Sequence, residues 1–359
     1  MSDLGNWVRL AKLEAPRKAV ALLEHFGSPE DVLDADVQSL AAVENVSKPE
    51  AERIHRMAGE PVDKELAALE KNNIAIITWR DPNYPQNLRT IFDPPVVLFV
   101  RGEIHEEDRF AVAIIGTRRP SEYGKSMAMS ISRDLAERCL TIVSGGARGI
   151  DTVAHWAAVN AGGRTIAVLG CGVDVAYPSE NRDLYDKISR NGAVISEYVP
   201  GTRPDAWRFP VRNRLISGLS MGVLVVESKL SGGAMITATI AAEHGRDVWA
   251  VPGSADSSVS EGPHRLIKEG AKLVESADDI LEEMGIEVET PAKQPKAVPD
   301  NLTPEQKLIL QALDLQPKHV DQIIAECRLT PAAANSSLTL LEMLGLIRRV
   351  PGNAYVRAI

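Results

Sequence analysis

Between Phe110 and about Met284 the chain carries six short apolar runs, at 111–115, 140–143, 165–169, 193–196, 223–226 and 247–251, separated by stretches with helical spacing. A strand that is apolar throughout, with no polar alternation, has both faces covered, and helices between successive strands deliver a parallel sheet. The expectation is an α/β fold with a Rossmann-like, doubly wound, mostly parallel sheet. Ligands of such sheets bind beyond the carboxyl ends of the strands, so the residues just after each strand carry the functional information.

Around this core the punctuation predicts three further segments. Residues 1–62 read as a small helical domain: Pro16 ends the first helix, Gly27-Ser28-Pro29 starts another, and Ser47-Lys48-Pro49 precedes a third. Two apolar runs at 74–78 and 95–100 flank Asp81-Pro82-Asn83-Tyr84-Pro85 and read as an extension packed on the core, so the central domain covers 63–285 with its core at 106–285. The stretch 286–301 is polar, contains Pro291, Pro295 and Pro299, and reads as a linker. Beyond it, at 302–359, a capping box at Thr303-Pro304-Glu305-Gln306, helical segments at 319–326 and from Thr330-Pro331 to Gly345, and two strand-like runs around Pro351-Gly352-Asn353 predict a winged helix.

Charge limits the partners. The chain has 40 Lys and Arg against 49 Asp and Glu, a net charge of −9. By segment this is −5 for 1–105, −4 for 106–285, −1 for 286–301 and +1 for 302–359. A global field of this sign recruits no nucleic acid, so a polyanion would be held by a local basic cluster and backbone amides. Three scattered cysteines, Cys139, Cys171 and Cys327, predict neither a disulfide framework nor a metal site. No apolar run approaches the roughly 20 residues of a membrane span, and the first residues lack a secretory pattern. A cytoplasmic protein with no membrane contact is expected.

The strand ends concentrate the chemistry. After the first core strand come Gly116-Thr117-Arg118-Arg119-Pro120-Ser121 and then a helix, an arrangement of backbone, hydroxyl and guanidinium that suits a phosphate. Ser144-Gly145-Gly146-Ala147 with Arg148, and Ser231-Gly232-Gly233-Ala234 with Thr237, repeat one turn at two strand-to-helix junctions, where consecutive amides form anion nests. Asp151 and His155, one helical turn apart, read as a capping aspartate paired with histidine rather than as an acid/base couple. Gly170-Cys171-Gly172-Val173-Asp174-Val175 lacks the third glycine of a dinucleotide fingerprint, so no nicotinamide or flavin cofactor is expected. From Arg203 to Arg214 runs a segment expected as a loop, with Trp207, Phe209, Arg212, Asn213 and Arg214, that offers cations for phosphates and rings for unpaired bases. The recognition helix expected in the winged module, 331–344, has no Lys or Arg and is poorly equipped to read duplex DNA; with Arg348, Arg349 and Arg357 as the local basic group, this favours a protein-contact or weak DNA-contact role.

In series, these motifs resemble the DNA-processing protein A family (DprA, also called Smf). The resemblance is carried by Ile114-Ile115-Gly116-Thr117-Arg118, Ser144 to Asp151 with His155, Leu169-Gly170-Cys171-Gly172 with Tyr177-Pro178, Phe209-Pro210-Val211-Arg212-Asn213-Arg214, Ser231-Gly232-Gly233-Ala234 with Thr237, and Val251-Pro252-Gly253. It extends to an N-terminal SAM or helix-hairpin-helix-like module and the winged helix. The resemblance implies a non-catalytic, cofactor-free protein that binds and protects single-stranded DNA in natural transformation, loads the RecA recombinase on it, and dimerises through the Rossmann-like domain. It also implies that Arg118, Ser121, Gly145, Gly146, Arg212, Arg214, Ser231 and Gly232 grip phosphates, with Phe209 stacking on a base.

The alternative is an enzyme, a nucleoside-monophosphate phosphoribohydrolase of the LOG (lysine-decarboxylase-like) group, whose Pro-Gly-Gly-x-Gly-Thr-x-x-Glu motif the second glycine turn resembles. Aligned on it, Thr239 stands where that group has its catalytic glutamate, which ranks the enzyme second.

Overall fold

A computed structural model describes residues 2–286, 302–314, 316–350 and 352–357. The expected linker, apart from Ile286, lies outside the described residues, as does Pro351 of the expected wing turn.

The N-terminal segment folds as α1 (Ser2–Ala11), α2 (Pro16–Phe26), α3 (Pro29–Asp34), α4 (Val37–Ala41), α5 (Lys48–Met57) and α6 (Asp63–Lys71). Pro16 occupies the first turn of α2, where a missing N–H leaves no bond unmade. Ser28 caps α3 by accepting the Asp31 N–H at 3.0 Å, and Ser47 with Glu50 makes the capping box of α5. Leu22, Leu23, Leu40 and Ile54 point inward and are continuous with a cluster containing Phe99, Leu169 and Tyr185. The helical segment and the sheet therefore share one core.

The strands are β1 (Ala75–Thr78), β2 (Val97–Gly102), β3 (Ala111–Ile115), β4 (Thr141–Ser144), β5 (Thr165–Val168), β6 (Ala193–Ser196), β7 (Gly222–Val225), β8 (Asp247–Ala250) and β9 (Lys272–Leu273). Among the described residues they form one sheet in the order β1-β2-β6-β5-β4-β3-β7-β8-β9. From β6 to β9 all neighbours are parallel, and β3 to β7 are buried along their whole length, as their unbroken apolar sequences require. The expected extension is part of this sheet: β2 pairs antiparallel with β6, and β1 with β2. The connecting helices are α7 (Gln86–Arg89), α8 (Glu122–Glu137), α9 (Ile150–Asn160), α10 (Arg182–Ile188), α11 (Arg208–Leu219), α12 (Gly233–Glu243), α13 (Glu261–Lys268) and α14 (Ala277–Glu283).

Strand order fixes where a ligand would sit. From β3 the chain steps through β4, β5 and β6 in one direction, then returns to place β7, β8 and β9 on the other side. The two loops that leave β3 and β7 diverge, and a crevice opens between them beyond the carboxyl ends.

The C-terminal module consists of α15 (Pro304–Ala312), β10 (Lys318–His319), α16 (Val320–Cys327), α17 (Pro331–Met343), β11 (Ile347–Val350) and β12 (Ala354–Arg357), its sheet ordered β10-β12-β11. Ile309, Ile323, Leu338 and Leu341 form its core, and the arrangement is the expected winged helix with one added short strand, β10. No helix among the described residues is long and apolar enough to cross a membrane.

Candidate nucleic-acid interface

The crevice beside β3 and β7 is a cleft of about 800 Å³. It gathers three segments far apart in sequence: Gly116 to Arg119 after β3, Ser228 to Thr237 after β7, and the start of α11 with Phe209, Arg212 and Asn213.

The loop after β3 is held from behind. Thr117 donates its N–H to Glu227 O at 2.7 Å and accepts the Ile150 N–H at 3.2 Å, which ties the loop to β7 and α9. Its next two side chains, Arg118 and Arg119, are thereby turned outward; both are exposed, line the cleft and have no ion pair among the described residues. Ser121 caps α8, its hydroxyl accepting the Gly124 N–H at 3.0 Å.

The second glycine turn is open to the cleft. Gly232 caps α12, and the amides of Gly233 and Ala234 in its first turn have no intrahelical acceptor. A Cβ at Gly233 would meet nothing within 4 Å. Ser231 and Lys229 stand exposed beside this helix end, whose dipole favours an anion. Thr237 lies one turn further, buried on the cleft wall.

The first glycine turn corrects the expectation of two equivalent nests. Its amides are already filled by the protein's own carboxylate: Asp151 accepts the N–H groups of Gly145 at 3.2 Å and Ala147 at 3.3 Å. The carbonyl of Gly146 is taken by the Tyr185 hydroxyl at 2.9 Å and Asn181 at 3.0 Å, and Ser144 donates to Ile114 O at 2.6 Å. Gly145 is glycine because a Cβ there would sit 2.7 Å from the Arg212 guanidinium; at Gly146, with φ +63°, it would sit 2.7 Å from the Tyr185 hydroxyl. Ser144, Gly145 and Gly146 thus lie behind the cleft lining, to which this turn brings Ala147, and the Gly145 and Ala147 amides are spent within the protein. Arg148 is exposed but paired with Glu180.

The arginine segment is a loop only as far as Trp207. From Arg208 it is the first half of α11, and helical periodicity separates its side chains. Phe209 and Asn213, four residues apart, face the cleft. Arg214 turns into the core, only 5% exposed, and is neutralised by Asp93 at 3.0 Å and Glu197 at 2.5 Å, which removes it from the phosphate-gripping set. Arg212, 4% exposed, lies in the cleft floor and donates from Nη1 to the carbonyls of Gly145 and Val168.

Asp151 and His155 do not pair with each other. His155 is buried with Nδ1 2.7 Å from Thr165 Oγ1, and burial pushes its pKa down to about 3. Burial pushes Asp151 up to about 6, against the pull of Arg212 and the two amides it accepts.

Two cleft residues fell outside the expected set. Tyr177 packs its ring 5.3 Å from that of Phe209, making an aromatic ledge at the cleft wall. Lys229 follows β7 by four residues, a position that strand-end logic flags but that a search for glycines passes over. Trp207, grouped with Phe209 in the sequence, does not line the cleft; it is 52% exposed, with Arg208 stacked 4.7 Å from its ring centroid.

Known protein families cover the helical segment, the sheet and the C-terminal module. The family model of DNA recombination-mediator protein A matches residues 75–285, the DprA winged helix domain matches 291–353, and a SAM-like helix-hairpin-helix tandem matches 16–59. The chain is 35% identical to Protein Smf of Synechocystis sp. over 99% of both chains, and 48% identical to DNA processing protein DprA of Streptococcus pneumoniae over 56% of this chain and 72% of the relative. Among solved structures, DprA of S. pneumoniae superposes with a TM-score of 0.68 at 38% identity, covering 77% of this chain and 97% of that one. DNA processing protein A of Helicobacter pylori, whose structure was described for its single-stranded DNA binding mode, superposes with a TM-score of 0.54 at 31% identity, covering 59% and 97%.

Proposed function

The chain belongs to the DNA recombination-mediator protein A family, the DprA/Smf proteins, and from that premise we propose that it binds single-stranded DNA in the cleft between β3 and β7. The observation that carries this reading is the convergence at one switch point of three exposed cations without an ion pair among the described residues (Arg118, Arg119 and Lys229), the N-terminus of α12 and an aromatic ledge. Cations and amides hold successive phosphates without regard to sequence, and an unpaired base stacks on Phe209 and Tyr177, which a base-paired duplex cannot do without unstacking. Gly116, Thr117, Ser231, Gly232, Gly233, Thr237 and Asn213 complete the contact surface.

No bond is broken in this reading. Thr239, at the position where a phosphoribohydrolase would need its glutamate, spends its hydroxyl on Met235 O within α12. In this proposal the protein acts instead by holding strands for a recombinase, as a cytoplasmic homodimer through the Rossmann-like domain that delivers single strands to RecA in transformation; the relatives' name, DNA processing protein, supports only the processing of DNA. Support for a protein-contact role of the winged helix is that α17 carries no Lys or Arg and exposes Leu340.

The test is fluorescence anisotropy of a labelled single-stranded oligonucleotide against a duplex of the same length. Salt-sensitive preference for the single strand is expected, followed by faster RecA-filament assembly on coated strands. Equal affinity for both forms, or turnover of nucleoside monophosphates, would overturn it.

A further inference from the structure

Arg212 is an anomaly in its surroundings. The other two enclosed arginines of α11 are matched by acids: Arg214 by Asp93 and Glu197, Arg208 by Glu14 and Asp205. Arg212 forms no ion pair among the described residues, and its Nε has no hydrogen-bond partner. Two neutral carbonyls hold its Nη1. They orient the guanidinium and leave its charge in place. Asp151 stands close by without forming an ion pair: a Cβ on Gly145 would be 2.7 Å from Arg212 Nη2 and 2.8 Å from Asp151 Oδ2, so both side chains converge on the same face of Gly145. That carboxylate, however, spends an oxygen on the amides of Gly145 and Ala147. A buried cation without a contacting anion is costly in a folded protein, and the cost is offset when an anion arrives nearby.

We infer that Arg212 acts on the bound phosphate without touching it: sealed beneath the Ser144–Ala147 turn, its guanidinium sets the positive potential of the cleft floor, and Asp151 moderates that potential. This rests on the phosphate-binding reading above and assigns the pair a role within it. The guanidinium is shielded from solvent ions, so its field reaches the ligand less screened than that of Arg118 or Lys229. Because it pairs with no phosphate, it also displaces none of the counterions condensed on the strand. The pair is therefore a tuning device whose two members act with opposite sign. A packing role makes them act with the same sign.

The experiment measures single-strand affinity of the full chain at neutral pH for Arg212→Met, Arg212→Lys, Asp151→Asn and, as a marker of the cleft itself, Arg118→Ala. A unit charge about 10 Å away at an effective dielectric of about 20 corresponds to roughly tenfold in affinity. Arg212→Met is expected to weaken binding about tenfold with the salt slope unchanged, and Arg212→Lys to keep most of the affinity. Asp151→Asn, whose amide oxygen still accepts from the turn, is expected to tighten binding severalfold. Should Arg212→Met fail to fold, Asp151→Asn decides alone. Weaker or unchanged binding in a folded Asp151→Asn protein overturns the inference, as does unchanged binding in Arg212→Met. If Arg118→Ala also binds as the wild type does, the cleft is not the site and the broader reading fails with it.

Discussion

The three free cations of the cleft fix a number that binding experiments read directly. Arg118, Arg119 and Lys229 are exposed, line one cleft and are unpaired among the described residues, so each is available to displace one condensed counterion from a strand. Each phosphate neutralised on a single strand adds about 0.7 to the slope of log affinity against log salt, so the three together give a slope of about −2. Raising salt from about 50 to about 200 mM should then weaken the wild type about 18-fold, and each single Ala substitution should reduce that factor about 2.6-fold. The triple variant Arg118→Ala/Arg119→Ala/Lys229→Ala should bind weakly and almost independently of salt. Anisotropy titrations at four salt concentrations supply the slopes, and thermal melts confirm folding, which solvent-exposed side chains without partners should not disturb. A triple variant that keeps the wild-type slope would show that the phosphates are held elsewhere, and the reading of the cleft would be abandoned.

Other expectations follow from the same structure. Phe209→Ala should cost about 1–3 kcal/mol of single-strand affinity while leaving the salt slope intact, because it removes a stacking surface and no charge; a changed slope would contradict the ledge assignment. His155, held neutral by burial with its pKa pushed down to about 3, is protonated first in the unfolded chain. Its contribution is fully present above pH 6.5 and drains away as pH falls, at about 1.4 kcal/mol per unit. Urea midpoints for the wild type and His155→Gln should diverge in favour of the variant between pH 6.5 and 4.5, and parallel profiles would refute the burial argument. Deleting residues 302–359 should preserve most single-strand affinity, since α17 brings no cation; a loss as large as that of the triple variant would make the winged helix a DNA-contacting module.

The layout of the sheet was legible because unbroken apolar runs admit few arrangements, and the rule that ligands bind beyond the carboxyl ends of the strands directed attention to the residues that follow them. What the sequence did not separate were residues identical in type and opposite in role. Two Ser-Gly-Gly-Ala turns look alike, yet one is closed by a carboxylate six residues after its first glycine and the other opens on the cleft. Asp151 was visible as a helix-start acid, but only geometry shows its oxygen turned back onto Gly145 and Ala147. Arginines 208, 212 and 214 read as one basic loop. Once Arg208 begins a helix, rotation of about 100° per residue sends Arg214 to Asp93 and Glu197 and Arg212 beneath the turn, leaving Phe209 and Asn213 at the surface of the cleft. Pro210, at the third position of that helix, is compatible with a first turn and was the available sign that the segment was helical.

Net charge misleads about such a site for the same reason. Arginines are not scarce in the central domain, but many are already committed: Arg101 to Asp186, Arg164 to Asp108, Arg208 to Glu14 and Asp205, Arg214 to Asp93 and Glu197. Those pairs cancel locally and leave the cleft cations uncancelled. At about 0.15 M salt the screening length is roughly 8 Å, so a strand entering the cleft meets Arg118, Arg119 and Lys229 and little of the acidic remainder; at about 0.01 M it is roughly 30 Å, and the net charge of −9 acts on the strand as well. Lowering salt therefore strengthens the cleft contacts and the long-range repulsion together. The plot of log affinity against log salt should bend toward flat at its low-salt end, a curvature that a basic single-strand binder with the same number of contacts would not show.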